Sequence, residues 1–168
     1  HGEKRITELL GQRFSKAFAA CNLPARLLFM PRLKHVDLLS LNMVSEILLD
    51  TLEWSGGKTS LEAIACDLPV VTLPGEFMRG RHTYAFLTRM GLTQTIAADK
   101  EAYIRLAARL GTDPAFHAQV KNHIKDHKWV LYRDTRVIEA LETFYKQACH
   151  SSRFQENPDA SDKGAVTP

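Results

Sequence analysis

Asp50-Thr51-Leu52-Glu53-Trp54-Ser55-Gly56-Gly57-Lys58-Thr59-Ser60-Leu61-Glu62 is the stretch whose reading decides the fold. The apolar run Glu46-Ile47-Leu48-Leu49 that leads into Asp50 has the length and character of a buried strand. Ser55-Gly56-Gly57 supplies a turn, and Lys58 to Cys66 reads as a helix. In that order these elements present unpaired backbone N–H groups and the positive end of a helix dipole, while the glycines let the backbone come close to a ligand. Thr59 and Ser60 add hydroxyl donors. Lys58 is the informative residue. In the first turn of a helix it opposes the macrodipole at a cost of roughly 0.3–1 kcal/mol, and an anion in the same place removes the conflict. The same residues read equally as a turn and helix cap with a solvated lysine. A P-loop is a poor match, because the glycine that motif requires five positions before Gly57 is Leu52 here.

Outward from this stretch, short apolar runs alternate with helical periodicity. Ile6, Leu9, Leu10, Phe14 and Phe18 mark an amphipathic helix over residues 3–20, stopped by Asn22 and Pro24. Arg26 to Met30 reads as a buried strand, Val36 to Met43 as a helix, and Pro69 to Leu73 as another strand ended by Pro74-Gly75. Helix returns over residues 80–90 and closes at Gly91; Thr93 to Ala97 is a weak fourth strand. Asp99 and Asp113-Pro114 have the residue types of helix starts, for helices reaching Leu110 and about Trp129. A last helix spans roughly Asp134 to Ala148. The expected fold is α/β, a Rossmann-like parallel sheet with flanking helices over residues 1–150. Residues 151–168 are polar, with Pro158 and Gly164, and read as a disordered tail.

Parallel sheets of this kind bind ligands beyond the carboxyl ends of their strands, which directs attention to Pro31–His35, Thr51–Lys58 and Pro74–Arg81. The 168 residues amount to one ordinary domain, with 45% hydrophobic and 24% charged residues. A net charge of +3 suits an anionic ligand and lacks the dense basic stripe of a nucleic-acid binder. Cys21, Cys66 and Cys149 form no disulfide or metal-knuckle pattern and read as reduced thiols of a cytoplasmic protein. No apolar run reaches the roughly 20 residues of a membrane span, so no membrane partner is expected. His117, His123 and His127 share a helix with Lys121, Lys125 and Lys128, but no Glu follows His123, so a solvated basic face is the expectation and no metal is implied. Trp54 reads either as a stacking residue or as packing.

Residues 26–112 resemble the C-terminal catalytic lobe of the O-linked N-acetylglucosamine (O-GlcNAc) transferases, bacterial relatives included. The matching pieces are Pro31-Arg-Leu-Lys-His-Val36, Leu49-Asp-Thr51, Ser55-Gly-Gly-Lys-Thr59, Leu61-Glu-Ala63, Leu68 to Glu76, Arg81, Gly91-Leu92 and Glu101-Ala-Tyr103, in order and without gaps across the site loops. The resemblance implies a GT-B glycosyltransferase of two Rossmann-like lobes with the sugar nucleotide between them. Its donor would be a UDP-sugar, UDP-N-acetylglucosamine above all, its acceptor a protein Ser or Thr hydroxyl, and no cofactor would be needed. Carried onto this chain, the family pattern places Gly56, Gly57, Lys58 and Thr59 at the diphosphate, Glu62 at the ribose, His35 beside the uracil, and Arg32 and Arg81 near the nucleotide. Lys58 would also stabilise the leaving group. Ser55, where many relatives have Asn, and Lys58 itself depart from the pattern. A helical opening element and the absence of a starting Met lead to the expectation of one lobe cut from a longer polypeptide, with a missing N-terminal lobe and a helical-repeat region, and inactive alone. The alternatives are a non-catalytic nucleotide-sugar-binding module and a related GT-B glycan transferase or epimerase.

Overall fold

The computed structural model describes residues 2–24 and 26–153 and divides the chain into two compact units, His1–Val44 and Ser45–Pro168. The first unit holds helices α1 (Gly2–Ala20) and α2 (His35–Val44). The expected strand from Arg26 to Met30 does not form there. No ladder among the described residues pairs with it, and an unpaired run cannot satisfy its backbone as a strand. Its side chains lie exposed, Leu28 at 83%.

The second unit is the α/β part. Strands β1 (Leu48–Leu49) and β2 (Val70–Val71) run parallel, with Leu48 opposite Val70 and Leu49 opposite Val71. The expected strand over residues 93–97 is reduced to one parallel bridge, Thr72 to Ile96, flanked by Thr72 N–H to Thr95 O (3.1 Å) and Ala97 N–H to Thr72 O (2.8 Å). Parallel pairing with a crossover helix is therefore present, but the sheet is much smaller than the expected Rossmann-like one. Between the strands lies α3 (Lys58–Ala65), and after β2 come a 3-10 turn (Met78–Gly80) and α4 (His82–Arg89). Helices α5 (Lys100–Thr112), α6 (Pro114–His127), α7 (Trp129–Tyr132) and α8 (Arg136–Arg153) complete the described chain. The polar segment read as a tail lies, from residue 154 on, outside the described residues.

Local chemistry sets these boundaries. Asp99 Oδ1 accepts the Ala102 N–H (2.6 Å) at the start of α5, and Asp113 Oδ1 accepts the Phe116 N–H (3.0 Å) at the start of α6, with Pro114 in the first turn. The Phe116 N–H, helped by Arg109, holds the Asp113 carboxyl below its usual range. Helix α4 ends with Gly91 N–H on Thr88 O and Leu92 N–H on Leu87 O, the paired bonds of a Schellman turn, Gly91 having φ 72°. The core of this unit joins Ile64 of α3, Val70 and Val71 of β2, Leu87 of α4, and Val120 and Ile124 of α6, all completely buried.

The basic face expected on α6 is only partly solvated. His117 Nε2 and His123 Nε2 sit 2.9 Å and 2.8 Å from the carbonyls of Glu46 and Met90 and tie the helix to two loops. Lys128 is buried, its Nζ donating to Asp67 Oδ1 (2.6 Å) and Ala65 O (2.7 Å) at the end of α3. No helix among the described residues is long and apolar enough to cross a membrane.

Candidate functional site

The site is built around Asp50, at the carboxyl end of β1. Its side chain is 5% exposed and accepts three hydrogen bonds. Oδ2 takes the hydroxyls of Ser55 (2.8 Å) and Thr72 (2.6 Å), and Oδ1 takes the Gly56 N–H (2.7 Å). One carboxylate thus joins the ends of β1 and β2 to the glycine turn. Ser55 Oγ also accepts the Thr83 N–H (2.9 Å), and Thr83 Oγ1 lies 2.8 Å from Ser60 Oγ, so the first turns of α3 and α4 are held against each other. The Tyr103 hydroxyl of α5 donates to Asp50 O (2.8 Å); burial, and secondly the Asp50 charge, push its pKa up to about 12. Buried polar groups satisfied this fully rigidify the segment that carries them.

That rigidity fixes the start of α3. Gly57 caps the helix without a side-chain hydrogen bond, so the first-turn N–H groups are left to other acceptors. The two glycines do different work. A Cβ at Gly56 would lie 2.3 Å from Ser60 Oγ, so only glycine lets the loop fold onto the helix; a Cβ at Gly57 would meet nothing within 4 Å. Gly56 therefore serves packing, and Gly57 borders open space at the helix N-terminus.

Lys58 is the first residue of α3, with its side chain 80% exposed and Nζ 3.3 Å from Glu62 Oε1. Thr59 is exposed in the same turn, whereas Ser60 faces the buried network and not solvent. Arg81 opens α4, with Nη1 donating to Gly75 O (2.9 Å) and its guanidinium over the Tyr84 ring (4.6 Å). Gly56, Gly57, Lys58, Thr59 and Glu62 thus share one helix start, with Arg81 on the neighbouring loop. Arg32 and His35 belong to the first unit, exposed ahead of and at the start of α2. Trp54 is 69% exposed, which removes the packing reading.

The sequence marks Ser55 as part of a turn and gives no functional sign for Asp50, Thr72, Thr83 or Tyr103 individually. Asp50 has a signal of position only, a carboxylate closing an apolar strand directly before a glycine turn. Thr72 and Tyr103 reach it from 22 and 53 residues away in sequence, and Thr83 reaches Ser55 from 28; such a meeting has no local signature.

A helix N-terminus without a side-chain cap, with a lysine beside it at the carboxyl end of parallel strands, makes this an α/β protein with the layout that fold class uses for ligand loops. Residues 13–137 match the model of glycosyl transferase family 41, and the chain belongs to that family. It is 24% identical over 127 residues to a Caenorhabditis elegans UDP-N-acetylglucosamine–peptide N-acetylglucosaminyltransferase, covering 76% of this chain and 10% of that protein. A probable transferase of the same kind from rice, SPINDLY, is 30% identical over 105 residues, covering 61% of this chain and 11% of that one. A solved structure of an O-GlcNAc transferase mutant from Thermobaculum terrenum superposes with a TM-score of 0.68 at 30% identity, over 84% of this chain and 28% of that one. The chain thus spans about a tenth of the length of these two curated relatives.

Proposed function

We propose that this chain forms the donor-binding part, one GT-B lobe, of a glycosyltransferase that moves N-acetylglucosamine from UDP to Ser or Thr hydroxyls of proteins. The observation that carries the reading is the α3 N-terminus: Gly57 open to its surroundings, no side-chain cap, and Lys58 alongside, all anchored by Asp50. Gly57, Lys58 and Thr59 bind the diphosphate, and Glu62 accepts hydrogen bonds from ribose hydroxyls. Arg81 adds positive charge near the nucleotide; for His35 and Arg32 of the first unit the uracil and nucleotide roles rest on the family resemblance alone. In the reaction, Lys58 and the helix N-terminus stabilise the charge that builds on the departing UDP. Neither metal nor cofactor is required. Orientation of the acceptor falls to a partner lobe of the longer polypeptide, and orientation of reactants alone supplies roughly 7–11 kcal/mol of such barriers.

Isothermal titration with UDP, GDP and ATP tests the reading, with Lys58→Ala alongside. UDP binding tightest of the three, and weakened in the variant by roughly 1–3 kcal/mol, is the expected result. Equal affinity for all three nucleotides, or an unchanged Lys58→Ala, sinks it. A transfer assay with UDP-N-acetylglucosamine on a protein lysate adds the catalytic arm: this chain alone should be inactive where the full-length parent turns over.

A further inference from the structure

Helix α3 meets charges that oppose its dipole at both ends: Lys58 opens it, and Asp67 follows it. Asp67 also holds an unfavourable backbone. Leu68 N–H bonds to Ala63 O and Asp67 N–H to Ile64 O (both 3.0 Å), the paired bonds of a Schellman turn, with Asp67 in its left-handed position at φ 59°. Glycine suits that position best, and an acidic side chain at a helix C-terminus works against the dipole. Helix capping therefore gives no reason for an aspartate here.

Lys128 gives one. Only 9% exposed, it donates to Asp67 Oδ1 (2.6 Å) and to Ala65 O (2.7 Å), one of the carbonyls that a helix end leaves without an intrahelical partner. One turn on, the Tyr132 hydroxyl donates to Leu61 O (2.6 Å). The junction of α6 and α7 thus grips α3 by its last turn and by its middle. The Asp50 network holds the other end, through Ser55, Thr83 and Ser60. Held at that end alone, α3 is free to swing. Its 8 residues span about 12 Å, so a tilt of about 10° about the middle moves the first N–H groups by about 1 Å. A displacement of that size is costly wherever polar groups must meet a ligand in register. We infer that Lys128 and Tyr132 are positioning residues: through Asp67, Ala65 and Leu61 they fix the axis of α3, and so aim its N-terminal N–H groups and Lys58 at the anion. The inference rests on the donor-binding reading above and adds to it a determinant of affinity at the far end of the helix.

The test is calorimetric titration of the 168-residue chain with UDP, alongside Tyr132→Phe and the double variant Asp67→Gly/Lys128→Met, each with a thermal melt. The double variant removes both charges together and puts glycine in the left-handed position, so the turn is kept without the clamp. It should melt close to the parent chain. Both variants should bind UDP about fivefold or more weakly at an unchanged number of sites per chain, the mark of a misaimed helix. A merely structural role lowers the number of competent sites and leaves the dissociation constant alone. That result, or full affinity in either folded variant, overturns the inference and leaves the donor reading standing. Should the double variant not fold, Tyr132→Phe, which deletes one oxygen, decides alone. A parent chain that binds no UDP overturns the donor reading, and the clamp with it.

Discussion

Asp50→Asn keeps the shape of the side chain and changes only what it can accept. The carboxylate now takes three donors: the Ser55 and Thr72 hydroxyls on Oδ2 and the Gly56 N–H on Oδ1. An asparagine has one acceptor oxygen and an NH2. If the oxygen stays on the Gly56 N–H, the NH2 faces two hydroxyls that both need to donate. Ser55 can turn its proton to Thr83 Oγ1, already 2.9 Å away. Thr72 is completely buried and its hydroxyl donates to Asp50, so its proton is orphaned. One lost bond to a charged acceptor is about 1.5–3 kcal/mol, and a buried unsatisfied donor adds about 1 kcal/mol, so the total should be about 2.5–4 kcal/mol. The assay is urea unfolding of the full chain, read as a lower midpoint at unchanged slope. A cycle with Thr72→Val isolates the pair: with its acceptor gone, the hydroxyl should be cheap to delete, giving a coupling above about 1 kcal/mol. Destabilisation under about 0.5 kcal/mol, or strict additivity with Thr72→Val, would refute the view that Asp50 organises this site.

Gly56→Ala and Gly57→Ala should separate fold from ligand. The first forces a Cβ to within 2.3 Å of Ser60 Oγ and should cost about 1–3 kcal/mol of stability by thermal melt. The second meets nothing, should leave the melt nearly unchanged, and should weaken UDP in a titration; the reverse pattern would exchange the roles given to the two glycines. Tyr103 predicts a pH dependence. Its folded pKa, about 12, lies above the unfolded 10, so the stability it contributes is complete below pH 10 and is lost as pH rises through about 12. Two units correspond to about 2.7 kcal/mol, reduced by solvent screening at this half-buried ring to about 1 kcal/mol. In Tyr103→Phe the fall in stability between pH 10 and 12 should shrink by that amount, and an unchanged alkaline profile would remove Tyr103 from the network.

Much of the α/β unit was legible because its signals are local. The caps at Asp99 and Asp113, the helix over Lys58–Ala65 and the stop at Gly91 are each written within four residues, and each formed where expected. Strands were less legible, because a strand is a property of its partner. Arg26–Met30 and Pro69–Leu73 look alike as apolar runs, but among the described residues only the second pairs with neighbours, β1 on one side and Thr95–Ile96 on the other. The same limit applied at the site. Asp50 and Gly56 could be read as a strand end and a turn, but not that the first accepts the N–H of the second, nor that Thr72 and Tyr103 converge on Asp50.

A lysine in the first helical turn works against the dipole by roughly 0.3–1 kcal/mol. Glu62, one turn on, gives that charge a partner at 3.3 Å, which offers the bland explanation: an ordinary surface pair. The magnitudes weigh against it as a reason for the lysine. With the lysine side chain 80% exposed, an i,i+4 pair contributes about 0.3–0.5 kcal/mol, and the order Lys before Glu is the weaker one. The pair therefore offsets the dipole penalty at best, and a neutral residue at position 58 would do as well for the helix. What remains distinctive is position: an exposed cation at the mouth of an uncapped helix, next to a glycine open to its surroundings, on a loop that Asp50 ties to the strand ends. On the proposed reading those features gain value when an anion is bound, and Lys58→Ala, with UDP binding weakened and the melt unchanged, is the outcome that would place the lysine in the chemistry of the site and not in its stability.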